Sequence, residues 1–170
     1  MIEDGKFYFI KDSYFQKIND KKILLNKESG NKRPCYYCFK DKGNPNILWL
    51  VPISSKIEKY KKIYKYKLNK YGIVDTIVFG KVNNDERAFL IQNIFPVIEK
   101  YIETKYTRNN MDVEITFILQ KEIEYKANLI LSLAMHGKKV VFTDVKRIKK
   151  ILEEDLKIIY KYCFCNSNSI

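Results

Sequence analysis

The sequence predicts an α+β protein organised around an antiparallel sheet, and three observations carry that expectation. Strand-like apolar runs recur in pairs around turn signals, as in "CYYCFKDKGNPNILWLV" and "DTIVFGKVNNDERAFL". Segments of helical periodicity lie between and after these pairs, which places helices against a sheet rather than in a bundle. At 170 residues, 46% of them hydrophobic, the chain has the size and apolar content of one domain with a real core.

The elements follow in chain order. "KFYFI", Lys6 to Ile10, reads as the first strand, and Asp12 and Ser13 read as caps of a short helix running through Tyr14 and Phe15 to about Asn19. The polar run from Asn26 to Lys32 reads as a loop. Pro34 to Lys40 and Ile47 to Ile53 are strands of a hairpin turning through "DKGNPN". A lysine-rich helix from about Ser55 to Tyr71 ends at Gly72, the usual residue for a left-handed helix stop. Asn83-Asn84-Asp85 turns a second hairpin, and Pro96 is expected to turn the chain into "VIEKYI". A strand at "DVEIT" precedes a long helix, about Phe117 to Met135, stopped by His136-Gly137. "KVVF" reads as a strand and Asp144 to Tyr162 as the last helix. A single domain over 1–165 with a frayed tail at 166–170 results; there is no internal repeat and no long linker.

Charge is the strongest compositional signal. A formal net charge of +12 attracts polyanions, with nucleic acid first and an anionic membrane surface second. The start, "MIEDGKFYFI", lacks the features of a secretory leader, and "ILWLVPI" and "LILSLAM" are too short to span a bilayer. A cytoplasmic protein with no membrane partner is therefore expected. Cys35 and Cys38 have a ligand-like gap, but on a strand residues three apart face opposite ways, and Cys163-Phe-Cys165 is tighter than usual zinc pairs. Reduced thiols are expected, with no metal and no cofactor.

On the lysine helix Ile57, Tyr60, Tyr64, Leu68 and Tyr71 form a narrow apolar stripe expected to pack on the sheet. The remaining faces carry Lys56, Lys59, Lys61, Lys62, Lys65, Lys67 and Lys70 against the single acid Glu58. Such a face is either simply solvated or a surface for RNA or DNA, and the imbalance of charge favours the latter. Lys59, Lys62 and Lys65 are the candidate phosphate contacts, and Tyr66 can stack on an unpaired base, which favours single-stranded RNA.

At the head of that helix stand Ser54, Ser55 and Lys56. Read as structure, Ser55 and Glu58 form a capping-box pattern. Read as chemistry, two hydroxyls, free backbone N–H groups and a cation converge on an anion such as a phosphate. RNA carries its own nucleophile in the 2′-hydroxyl, so a ribonuclease needs no metal, only proton transfer and charges that stabilise the phosphorane. Arg33 can add a cation and Tyr14 a phenol. Glu153-Glu154-Asp155 falls on an amphipathic helix and reads as solvated surface. His136, the single histidine, is an acid–base candidate by residue type, but it stands at a helix end, where an imidazole commonly meets the last carbonyls.

Four segments in order, "KFYFIKDSYFQKI", "NKRPCYY", "WLVPISSKIEKY" and "LIQNIFPVIEKYI", resemble the type III toxin–antitoxin endoribonucleases of the ToxN and AbiQ kind, closest to the CptN-like branch. The resemblance covers about Lys6 to Arg108. Its most specific piece is a strand ending in proline, an aliphatic residue, two hydroxyl residues and lysine. It implies a compact barrel-like antiparallel sheet with inserted and C-terminal helices, similar to the Kid and MazF toxins. It also implies metal-independent cleavage of cellular and phage RNA, leaving a 2′,3′-cyclic phosphate and a 5′-hydroxyl. The implied partner is an RNA antitoxin, a repeat that folds into a pseudoknot, is processed by the toxin and inhibits it in a closed protein–RNA assembly, in the setting of abortive phage infection.

Position by position, the family's active-site tyrosine falls on Tyr14 and its basic residue on Arg33, where the founding toxin has lysine. The hydroxyl pair falls on Ser54 and Ser55. The lysine falls on Lys56, one place earlier than in the founding toxin and without its preceding proline. Arg108 matches an RNA-contacting arginine of the closer branch. A non-catalytic module that binds single-stranded RNA is the alternative; it would share the lysine helix but not depend on Ser55.

Overall fold

A computed structural model describes residues 2–24, 26–28 and 30–167, with side chains described through residue 161. Strand β1 (Phe7–Ile10) leads into helix α1 (Asp12–Ile18), which Asn19 closes in the left-handed conformation at φ 45°. Lys11 occupies the N-cap position with no side-chain cap, so Asp12 and Ser13 belong to the first turn instead of capping it. The expected loop from Asn26 to Lys32 contains a small hairpin, β2 (Lys27–Glu28) against β3 (Asn31–Lys32).

The hairpin of β4 (Cys35–Lys40) and β5 (Ile47–Ser54) forms as expected, with Tyr36 opposite Val51. Its turn is fixed by Asp41, whose carboxylate accepts the N–H groups of Gly43 and Asn44, the Trp49 indole N–H and the Lys149 ammonium. Helix α2 (Ile57–Tyr71) ends at Gly72, which sits at φ 74° and donates its N–H to the Leu68 carbonyl. The second hairpin, β6 (Val78–Val82) and β7 (Asp85–Phe89), pairs Val82 with Asp85, so Asn83-Asn84 is its two-residue turn.

Beyond it the reading of Pro96 is corrected. Pro96 does not turn the chain; it lies in β8 (Phe95–Ile98), opposite Trp49 of β5. After a 3₁₀ turn, β9 (Ile102–Lys105) joins β1, and β10 (Thr107–Arg108) pairs β11 (Met111–Asp112) in a separate ribbon. The strand expected over "DVEIT" is confined to that ribbon: Val113 is buried in the core, but its backbone enters no ladder, and Thr116 caps α3 (Phe117–Met135) through its hydroxyl. "KVVF" is likewise no strand. Val140 and Val141 pack against the core that α3 covers, so their apolar character reflects packing alone. Helix α4 (Val145–Ser167) reaches into the expected tail, whose residues 168–170 lie outside the described ones.

The main sheet runs β6-β7-β5-β4-β1-β9, with β8 also on β5. Strand β5 changes partner along its length: Ile47 to Leu50 pair with β8, Ile53 and Ser54 with β7. The edges β6 and β9 do not meet, so the sheet is open, and the barrel-like closure implied by the resemblance is not reached. One face is covered by α3 through Ile123, Ala127 and Ile130, the other by α1 and α4 through Ile18, Ile148 and Leu152. Burial on both faces explains why β5 reads as a solid apolar run rather than an alternating one. It also separates Cys35 from Cys38, which fall into the two different cores as the strand period requires.

Two surface expectations are revised. The stripe of α2 packs through Ile57, Tyr60, Ile63 and Tyr64 over Ile77, Ala88 and Leu90, whereas Leu68 and Tyr71 are 41% and 62% exposed because the helix overruns its support. Lys67 turns inward in their place, its ammonium donating to Thr76 Oγ1 (2.8 Å) and Gln92 Oε1 (2.6 Å), and burial lowers its pKa. Asp155 is buried rather than solvated, accepting from the Tyr101 hydroxyl and pairing with Lys17 at 3.0 Å. No helix of the described residues is long and apolar enough to cross a membrane.

Candidate active site

The site is built where β5 leaves the sheet. Ser54, held opposite Ala88 of β7, is buried, and Ser55 emerges into solvent one residue later. Glu28, at the end of β2, faces both. Its Oε1 accepts from Ser54 Oγ at 2.6 Å, and its Oε2 accepts from the backbone N–H and the hydroxyl of Ser55 at 3.0 and 3.2 Å. Arg33, on the short segment between β3 and β4, donates Nη1 to Glu28 Oε1 and to the Ile53 carbonyl, both at 3.1 Å. Burial pushes the Glu28 carboxyl up, but the bonds from Ser54 and Ser55 and the Arg33 charge outweigh it and hold its pKa below the ordinary value.

The capping-box reading is therefore corrected. The helix begins at Ile57 with Lys56 as N-cap and no side-chain cap, and Glu58 extends into solvent toward Lys61. Both hydroxyls are drawn instead to a carboxylate, a stronger acceptor than a neutral group offers. Ser54 Oγ also accepts the Lys56 N–H at 3.1 Å, which closes a local turn at the strand exit.

Around this cluster lies a cleft of about 460 Å³. Lys32, Arg33, Arg87 and Arg108 supply its cations, and Glu28 and Asp85 are its carboxylates. Arg108 and Arg87 share one oxygen of Asp85, at 2.8 and 3.1 Å, and the Arg108 bond and charge, with the charge of Arg87, hold that carboxyl below its ordinary pKa. Phe9 and Tyr106, in edge contact at 5.4 Å, line the same wall. The cleft thus combines an excess of positive charge, exposed hydroxyl and backbone donors, and aromatic surface. An RNA phosphate and an unstacked base need those groups.

Arg33, Ser54, Ser55 and Arg108 of the sequence-derived residues meet in this cleft. Tyr14 does not reach it. Its ring is buried between Phe95 and Tyr101, its hydroxyl donates to the Pro96 carbonyl at 2.7 Å, and burial raises its pKa well above the usual phenol value. A buried tyrosine with a satisfied hydroxyl ties α1 to β8, and Tyr14 is not among the residues that line the cleft. Lys56 is exposed at the helix head but is not part of the cleft wall. Lys59, Lys62, Lys65 and Tyr66 are exposed on α2, and the Lys59 ammonium lies 5.6 Å from the Tyr60 ring.

His136 caps α3 with Nδ1 2.8 Å from the Ser132 carbonyl, as its position before Gly137 suggests, and is not among the cleft residues. Burial pushes the Cys35 thiol up to about 12 and that of Cys38 well above its usual value. No cluster of metal ligands occurs among the described residues; the side chains of Cys163 and Cys165 lie outside them.

Glu28 is the site residue that sequence reasoning missed, together with Arg87, Asp85 and Tyr106. The one available signal was a single acid inside the basic run "NKESGNKR", 26 residues from Ser54 in sequence.

Comparison with known proteins bears on the fold. No protein-family model and no curated protein matches the sequence. Among solved structures, the chain is similar to ToxN, from work on bacterial type III toxin–antitoxin systems and selective toxin inhibition by a non-coding RNA pseudoknot. That match has a TM-score of 0.65 and 17% identity, and covers 89% of this chain and 98% of that one. It is also similar to AbiQ, a lactococcal anti-phage endoribonuclease of a type III toxin–antitoxin system, with a TM-score of 0.67 and 15% identity over the same shares. At such identities these matches establish a shared fold, and they cover both the part of the chain that carries the sequence resemblance and most of the part that does not.

Proposed function

We propose that this protein is a metal-independent endoribonuclease, the toxin of a type III toxin–antitoxin system acting against phage by abortive infection. The observation that carries this reading is the convergence of Arg33, Ser54 and Ser55 in one basic cleft, drawn from sequence positions that the resemblance had already singled out. The shared fold with ToxN and AbiQ supports it.

In the proposed reaction the 2′-oxygen of one nucleotide attacks its own 3′-phosphate, leaving a 2′,3′-cyclic phosphate and a 5′-hydroxyl. Ser55, exposed and rotatable, donates its hydroxyl to a non-bridging oxygen. Arg33, pinned by the Ile53 carbonyl, offsets the charge that builds on the phosphorane. Lys56 stands next to Ser55, and its flexible stem brings the ammonium to the mouth once RNA is bound. Arg108 and Arg87 hold flanking phosphates, and Tyr106 offers a face for a base. Tyr14 acts from the core by fixing β8, the partner of β5. The lysines and Tyr66 of α2 extend the track for RNA beyond the cleft.

The natural partner in this reading is a repeat RNA that folds into a pseudoknot, is cut by the toxin and then fills its cleft in a closed assembly; the setting is the cytoplasm. The test is direct. Purified protein in EDTA should cut RNA to 5′-hydroxyl ends, and a 2′-deoxy substitution at the scissile nucleotide should abolish cutting there. Induced in bacteria it should arrest growth. Binding without cleavage would leave the single-stranded RNA-binding module as the function.

A further inference from the structure

We propose that Glu28 is the general base of this reaction, with Oε2 taking the proton from the attacking 2′-hydroxyl. The inference rests on the ribonuclease reading above and names the proton acceptor that reading leaves open.

Glu28 lines the cleft and is the carboxylate that touches both serines, whereas Asp85, the other carboxylate of the cleft, is bound by Arg87 and Arg108 and contacts neither. His136 caps a helix outside the cleft, and the Tyr14 hydroxyl is occupied in the core. A group that takes a proton from the 2′-hydroxyl must lie beside the phosphate donors, and Glu28 is bonded to them.

The two oxygens of Glu28 are held differently. Oε1 is tied down by buried partners, Ser54 Oγ at 2.6 Å and Arg33 at 3.1 Å. Among the described residues Oε2 is held by Ser55, through the backbone N–H at 3.0 Å and the hydroxyl at 3.2 Å. When the exposed Ser55 hydroxyl swings to a phosphoryl oxygen, Oε2 keeps one bond and gains a free lone pair. That lone pair lies next to the phosphate whose 2′-neighbour must lose its proton. One rotation therefore supplies the oxyanion donor and uncovers the base.

The step balances without a further reagent. The 2′-O–H proton passes to Oε2, the 2′-O–P bond forms and the P–O5′ bond breaks. The leaving 5′-oxygen takes a proton from cleft water, and the resulting hydroxide removes the proton from Glu28. The groups that face Glu28 are Arg33, Ser54, Ser55 and, from α2, Tyr60. Lys32, Arg87, Arg108, Asp85 and Tyr106 complete the charged and titratable cleft lining.

The experiment is single-turnover cleavage of a short RNA by the full chain across pH, for the parent, Glu28→Gln and Glu28→Asp. Affinity is measured on the same RNA carrying a 2′-deoxy scissile nucleotide, and folding by thermal melting. The parent should show an acid limb of unit slope lying below the ordinary glutamate value, because the bonds from Ser54 and Ser55 and the Arg33 charge hold the carboxyl down. Glu28→Gln should cleave at least about 100-fold more slowly, with affinity retained and the limb gone. Glu28→Asp should recover part of the rate together with the limb. A folded Glu28→Gln that cuts at the parental rate, or that keeps the acid limb, overturns the inference while the ribonuclease reading stands. So does a parental profile that stays flat through the whole acid range in which the protein remains folded, which needs no variant to fold. A parent that cuts no RNA overturns both.

Discussion

Ser55→Ala removes one hydroxyl from an exposed position, and its expected effects on stability and on rate differ widely. In the folded protein the Ser55 hydroxyl makes a 3.2 Å bond to Glu28, beside a 3.0 Å backbone bond that the substitution leaves in place. A surface change of this kind costs at most about 0.5 kcal/mol. In the proposed reaction the same hydroxyl would face the phosphorane, where removal of one donor costs about 2.7–4 kcal/mol, or ~10²–10³ in rate. Ser54→Ala should divide the other way. Ser54 is buried, and its 2.6 Å bond to a carboxylate is worth about 1.5–3 kcal/mol. For a chain of this length that lowers the melting temperature by about 3–12 °C. The assay is single-turnover cleavage of one RNA at saturating protein, with melting curves of the same preparations. Ser55→Ala that cuts within about threefold of the parent would refute the assignment, because so small a change is under 1 kcal/mol of transition-state stabilisation.

Three further outcomes are expected. Gly80→Ala would set a Cβ 2.2 Å from Leu119 Cδ2 and 2.7 Å from Cδ1, so the buried Leu119 side chain must give way; where its packing holds it, overpacking costs about 1–3 kcal/mol in denaturant melts, and a cost within experimental error would mean that Leu119 simply rotates away. Burial raises the Asp41 pKa, but the Lys149 and Trp49 bonds lower it more, so the folded value lies below the unfolded one of about 3.9. Its contribution is therefore full above the unfolded pKa and lost as pH falls through the folded one, and Asp41→Asn should flatten the melting temperature across that acidic window; an unchanged slope would count against it. Replacing Lys59, Lys62 and Lys65 together by glutamate should weaken binding of single-stranded RNA and lower the salt slope by about 2. A salt slope equal to that of the parent would take α2 out of the RNA path.

Much of this molecule follows from local sequence. The two hairpins are fixed by their turn chemistry: Asp41 gathers the N–H groups of its own turn, and Asn83 takes a positive φ of 54° that most residues resist. The stop of α2 at Gly72 and the span of α3 are equally local matters of handedness and periodicity. The places where sequence misleads are those where apolar content has two explanations. Val140 and Val141 read as strand because β-branched residues favour sheets, yet they fill a gap against α3 with no ladder to join. Pro96 reads as a turn because it lacks an N–H, yet it takes a place in β8 opposite Trp49.

For the site, the sequence by itself determined the hydroxyl pair at the exit of β5, the cation at Arg33 and the strongly basic surface, since each is a matter of residue type and spacing along one segment. Only the tertiary structure decided what those groups touch. Glu28 lies 26 positions from Ser54 along the chain and is brought to it by the small hairpin of β2 and β3, while Tyr14 is drawn into the core by the docking of α1 against β8. Spacing records neighbours along the chain, but a carboxylate finds its hydrogen-bond donors, and an aromatic ring its apolar partners, across distances in sequence that only the folded backbone closes.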